Sequence, residues 1–66
     1  MKAERYRDYS IWGHAIPEGD AYLASGTIVR DGKLVEASEV LANFKTEEEA
    51  KSAGLDWARA WLDGHG

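Results

Sequence analysis

The sequence predicts an α+β domain: a three-stranded antiparallel meander, strand order 1-2-3, with one C-terminal helix packed on one face. Three observations carry this. Two groups of turn formers, Pro17-Glu18-Gly19-Asp20 and Asp31-Gly32, divide the first forty residues. The segments between them alternate with the period of two that half-buried strands show. From Thr46 onward the apolar period changes to that of a helix, behind a Thr46–Glu49 capping box.

The elements follow in order as strands of about residues 8–16, 21–30 and 33–41 and a helix of about residues 46–63, all within a single domain, 1–66. A four-residue loop at 17–20 would pair Ala15 with Tyr22, Gly13 with Ala24, Ile11 with Gly26 and Tyr9 with Ile28. A two-residue Asp31-Gly32 hairpin, set independently, would pair Arg30 with Lys33, Val29 with Leu34, Ile28 with Val35 and Gly26 with Ala37. The two registers agree on faces, and a one-residue slip in either would scramble them. Tyr9, Ile11, Gly13, Ala24, Gly26, Ile28, Val35 and Ala37 share one face. Trp12, His14, Leu23, Ser25, Thr27, Val29, Leu34, Glu36 and Val40 share the other.

The helix opens with Glu47, Glu48 and Glu49, where the helix dipole favours negative charge, and Gly64 supplies its stop. Ala50, Ala53, Gly54, Trp57, Ala58 and Trp61 form its apolar stripe. The stripe needs a floor, and Gly13, Ala24, Gly26 and Ala37 make one flat enough for two indoles. The expected core is therefore Tyr9, Ile11, Ile28, Val35, Trp57 and Trp61, which leaves the Trp12 face bare.

Composition removes several function classes. With no cysteine there are no disulfides, Cys-based zinc sites or thiol nucleophiles, a usage that fits a reducing cytoplasm. No apolar run approaches the ~20 residues of a membrane span, and the first ten residues lack the apolar segment of a secretory signal. The expected location is cytoplasmic. The net charge is −4 and the eight Lys and Arg residues are scattered, which argues against a nucleic-acid partner.

The search for chemistry ends in the same place. His14 and His65 lie far apart, whereas a metal site needs three or four converging ligands. The serines lack a nucleophile-elbow context, and the glycines form no phosphate-cradling motif. No catalytic residue, metal or cofactor is expected, and the chain does not read as an enzyme.

What remains is contact. Trp12, His14, Leu23, Val29, Leu34 and Val40 form the candidate interaction face, for a homodimer or another protein, with an outer strand as a second route. A different reading has the acidic helix residues Glu48, Asp56 and Asp63 masking a basic partner, as an antitoxin-like or regulatory protein would. A third places a small ligand in the helix–sheet seam near Tyr9, Tyr22 and Trp61.

The pattern Gly26-x-Ile28-x-Arg30, then Phe44-x-Thr46-x-Glu48-Glu49-Ala50 leading to Ala58-x-x-Trp61-Leu62-Asp63, resembles a group of short, uncharacterised bacterial β-β-β-α proteins. The likeness covers most of residues 9–63; it implies the fold and carries no activity. The Thr-x-Glu-Glu-Ala helix opening also resembles the N-terminal half of HicB-type antitoxins. Those proteins usually add a DNA-binding segment, which residues 1–66 have no room to hold.

Overall fold

A computed structural model describes residues 3–65. It is α+β, with a five-stranded antiparallel sheet and one C-terminal helix. The strands are β1 (Glu4–Tyr6), β2 (Tyr9–Glu18), β3 (Ala21–Arg30), β4 (Lys33–Ala37) and β5 (Asn43–Phe44), followed by α1 (Glu47–His65). The order is β1-β2-β3-β4, with β5 also paired to β3. The expected meander β2-β3-β4 is thus present but extended at both ends.

The first hairpin is tighter than expected. Glu18 pairs with Ala21, so the loop is Gly19-Asp20 alone, and Gly13 faces Gly26 while Ile11 faces Ile28. Gly19 adopts φ 60°, as the first central residue of a two-residue hairpin turn of the II′ kind requires. The register has moved by two residues relative to the four-residue loop. Two is the side-chain period of a strand, so the partners change and the faces do not.

The second hairpin departs further. Asp31 and Gly32 both have positive φ, 54° and 77°, the I′ pattern, and Arg30 pairs with Lys33 and Val29 with Leu34 as expected. A bulge then follows: Ile28 pairs with Glu36 and Thr27 with Ala37, leaving Val35 as the extra residue. Val35, expected in the core, is 37% exposed. Beyond the bulge the faces invert, so Glu36 moves to the helix side and Ala37 to the outer side. The strand expected to run to residue 41 ends at Ala37. Residues 38–42 continue irregularly along β3, tied by Ser38 N–H to Gly26 O and Leu41 N–H to Ala24 O. β5 then pairs Phe44 with Tyr22, where the Asp31-Gly32 hairpin continued without a bulge would put Leu41.

The helix lies across β2 and β3. Its buried line is Ala50, Gly54, Ala58 and Leu62, spaced four apart, with Trp57 and Trp61 flanking it half-buried. The core cluster is Ile11, Ile28, Ala58 and Leu62, against which Tyr6, Tyr9, Leu55, Trp57 and Trp61 pack. The indoles therefore border the closest helix–sheet contact rather than make it. That contact is between backbones. A Cβ on Gly13 would lie 1.9 Å from Lys51 O, and one on Gly54 would lie 2.1 Å from Ser25 O and 2.8 Å from Gly13 Cα. A Cβ on Gly26 would meet Gly54 O and Trp57 Cε3, both at 2.6 Å. Three glycines, facing one another across β2, β3 and α1, let the helix settle onto the sheet.

Thr46 caps the helix: Glu49 N–H donates to Thr46 Oγ1 at 3.1 Å, and the threonine hydroxyl donates to Glu49 Oε1 at 3.2 Å. At the other end the helix runs through Gly64, the expected stop, to His65. There His65 stacks on Trp61 with ring centroids 4.1 Å apart, its Nδ1 2.8 Å from Trp61 O.

β1 is held to the helix by polar ties. Arg59 Nε donates to Glu4 Oε2 at 2.9 Å and its Nη1 to Asp56 Oδ1 at 2.8 Å. The Tyr6 hydroxyl donates to Asp63 Oδ1 at 2.7 Å, and Arg7 Nη2 lies 3.1 Å from the same oxygen. Hydrogen bonding to Glu4 raises the Arg59 pKa above its usual value. Both partners are about a third exposed, so screening limits the contribution. Arg59→Met is expected to cost about 0.5–1 kcal/mol, measured by urea denaturation, with the difference shrinking in high salt.

Candidate functional site

β1 to β4 form a sheet with one face against α1 and the other uncovered among the described residues. The register fixes what the uncovered face presents. Trp12 pairs with Thr27 and His14 with Ser25, and Ile16 pairs with Leu23, Ser10 with Val29, and Val29 with Leu34. Simple alternation puts Trp12, His14 and Ile16 of β2 beside Leu23, Ser25, Thr27 and Val29 of β3, with Leu34 and Ala37 of β4 continuing the row. Trp12 was expected opposite Ser25 and His14 opposite Leu23; the two-residue register change moves each by one pair.

The face has an apolar frame and a polar middle. Leu34 is 65% exposed and Ile16 is 45% exposed, while Trp12, Leu23 and Val29 are partly covered by their neighbours. In the middle, His14 Nε2 lies 2.8 Å from Thr27 Oγ1, a diagonal contact between β2 and β3. His14 is exposed, so this pair exchanges hydrogen bonds with water.

Charge divides the two sides of the molecule. Glu4 and Glu36 have helix-side register positions, and Glu47, Glu48, Glu49, Asp56 and Asp63 belong to α1. On the outward strand positions the only carboxylate is Glu18, at the hairpin tip, while Arg5 adds a positive charge beside Ser10. A chain of net charge −4 thus carries an almost carboxylate-free sheet face.

Of the residues expected to form this face, Trp12, His14, Leu23, Val29 and Leu34 are brought together. Val40 is 55% exposed but lies in the irregular segment after β4, outside the strand ladder. Ile16 joins them, as its alternation with Trp12 and His14 implies, and Ala37 joins through the bulge.

The other candidate surfaces look different in three dimensions. All three of the acidic trio are exposed, with Asp56 bonded to Arg59 and Asp63 to Tyr6 and Arg7. Around Tyr9, Tyr22 and Trp61 no pocket opens among the described residues, in keeping with the glycine-mediated approach of helix to sheet. Among the described residues there is also no group of three or more His, Asp or Glu side chains placed to hold a metal ion. Among the described residues no helix is long and apolar enough to cross a membrane.

One family model matches this architecture's sequence, that of the Domain of unknown function (DUF6566), over residues 1–66. No curated protein and no solved structure gives a significant match.

Proposed function

The chain belongs to the DUF6566 family, and from that premise we propose that it is a non-catalytic protein-interaction module that self-associates through the open sheet face. The observation that carries this reading is the union of an exposed apolar frame with a scarcity of carboxylates, Glu18 at the hairpin tip being the one on an outward strand position. Acidic chains repel one another over most of their surface, and this face is where two copies approach without that penalty. Its apolar residues supply the driving force: burying a side chain of the size of Trp12 or Leu34 contributes roughly 2–3 kcal/mol.

Back-to-back contact of two such faces gives a symmetric arrangement of helix, sheet, sheet and helix, with sheets ~10 Å apart. The contact is isologous, so Trp12 and Leu34 are each used twice.

Sedimentation equilibrium of the wild-type chain against Trp12→Ser and Leu34→Asp tests it. Each substitution is expected to weaken association by roughly tenfold or more, since each removes at least about 1.4 kcal/mol from the interface. The urea midpoint of Leu34→Asp should stay close to wild type, because exposed positions change stability by only about 0.5 kcal/mol. Trp12 is half-buried against its own sheet, so Trp12→Ser also lowers the midpoint and its association is read where it remains folded. A wild-type chain that remains monomeric at millimolar concentration contradicts the proposal.

A further inference from the structure

β1 is three residues long and joins β2 through a two-residue turn, Arg7-Asp8, in which both residues have positive φ, 51° and 69°. The Asp31-Gly32 turn has the same hand and meets its demand with glycine at the second position. Arg7-Asp8 has no glycine. Each of these L residues carries the left-handed penalty, and a short hinge under strain favours exchange of the element it connects.

The register shows where exchange leads. Glu4 pairs with Ile11, Arg5 with Ser10 and Tyr6 with Tyr9. If the turn straightens and two copies meet, the same series continues without a break across a two-fold axis between residues 7 and 8. Every existing pair re-forms between chains. Two new pairs are added, each placing Arg7 opposite Asp8 of the other copy, an opposite-charge cross-strand pair. Of the ties to the helix, Glu4 with Arg59 and Tyr6 with Asp63 re-form unchanged with the exchanged strand, while the Arg7–Asp63 ion pair gives way to the Arg7–Asp8 pairs.

We propose that β1 is an exchangeable strand, and that a second copy of this chain is its partner, through reciprocal opening of the Arg7-Asp8 turn. Exchange relieves four left-handed residues per dimer and costs the association entropy of one pair of chains. It uses a different surface from the open sheet face and stands independently of it.

A disulfide distinguishes the two. Arg5 and Ser10 occupy the non-hydrogen-bonded position of the β1–β2 ladder, where Cα atoms lie about 4.5 Å apart, within disulfide reach. The native chain has no cysteine, so an Arg5→Cys/Ser10→Cys variant has one pairing available within a closed chain. It is incubated at high concentration near its melting temperature, cooled, oxidised and run on a denaturing gel without reductant. Exchange puts the bond between chains and gives a covalent dimer. Adding Arg7→Asn/Asp8→Gly, a turn suited to positive φ, should cut the dimer yield by roughly tenfold or more. Association through the sheet face alone leaves the bond within each chain and a monomer band. A monomer band at every concentration, or a dimer band of equal strength in the Asn-Gly background, overturns the proposal.

Discussion

Gly13→Ala is expected to cost about 3 kcal/mol, at the upper end of ordinary overpacking. In a domain of this size that lowers the melting temperature by more than ~10 °C. The new methyl would sit 1.9 Å from Lys51 O and 3.0 Å from Leu55 N, both main-chain atoms of a helix that cannot turn aside as a side chain does. The helix has to lift, and in lifting it loosens Ala50, Ala58 and Leu62 together. Gly54→Ala faces the same obstacle from the other side, 2.1 Å from Ser25 O, and its helix-propensity gain of up to ~1 kcal/mol does not offset it. Gly64→Ala supplies the contrast. Nothing lies within 4 Å of a Cβ there, so the same propensity gain should appear as a higher melting temperature. Three Gly→Ala changes thus have different signs, read by thermal circular dichroism. Equal effects at all three would remove the close backbone approach from the account.

Ile28→Ala is expected to be comparably damaging, about 3–4 kcal/mol, because it deletes a fully buried side chain on the central strand. A domain of this length carries only ~3–10 kcal/mol in all, so the variant should be largely unfolded at physiological temperature. Val35→Ala separates the bulged register from a straight one. In the straight register Val35 sits beside Ile28 and its truncation opens a cavity. In the bulged register it is a peripheral residue, and the loss should stay below about 1 kcal/mol. Urea midpoints of the two variants, with amide exchange confirming that Val35→Ala retains the sheet, decide between them.

Much of this fold is legible in the sequence because side-chain period and turn chemistry act locally. Asp31-Gly32 gives its turn, Thr46–Glu49 its cap, and alternation its faces. The first loop is two residues shorter than its turn formers suggest and the faces are the same, since a displacement of two leaves a period of two intact. A displacement of one does not, and Val35 shows it: neither glycine nor proline marks the bulge, which arises from how residues 35–44 fit along β3. β1 was missed for a related reason. Glu4, Arg5 and Tyr6 form too short a run to alternate visibly, and their stabilising partners, Arg59 and Asp63, lie more than fifty residues away. The roles of Trp57 and Gly54 were exchanged in the same way. Large aromatics suggest a core centre, but here three glycines set the closest approach and the indoles fill its flanks.

The outer face depends on that geometry, since a helix seated on Gly13 and Gly26 leaves Trp12 and Leu34 on the other side. The chain's three tryptophans make this directly observable. Their indole N–H resonances, followed by heteronuclear NMR as the protein is diluted from millimolar to micromolar, report both sides of the sheet in one experiment. The expected result is a concentration-dependent shift for Trp12 while Trp57 and Trp61 hold still. Movement of Trp57 and Trp61 with Trp12 fixed, or three resonances indifferent to dilution, would contradict it.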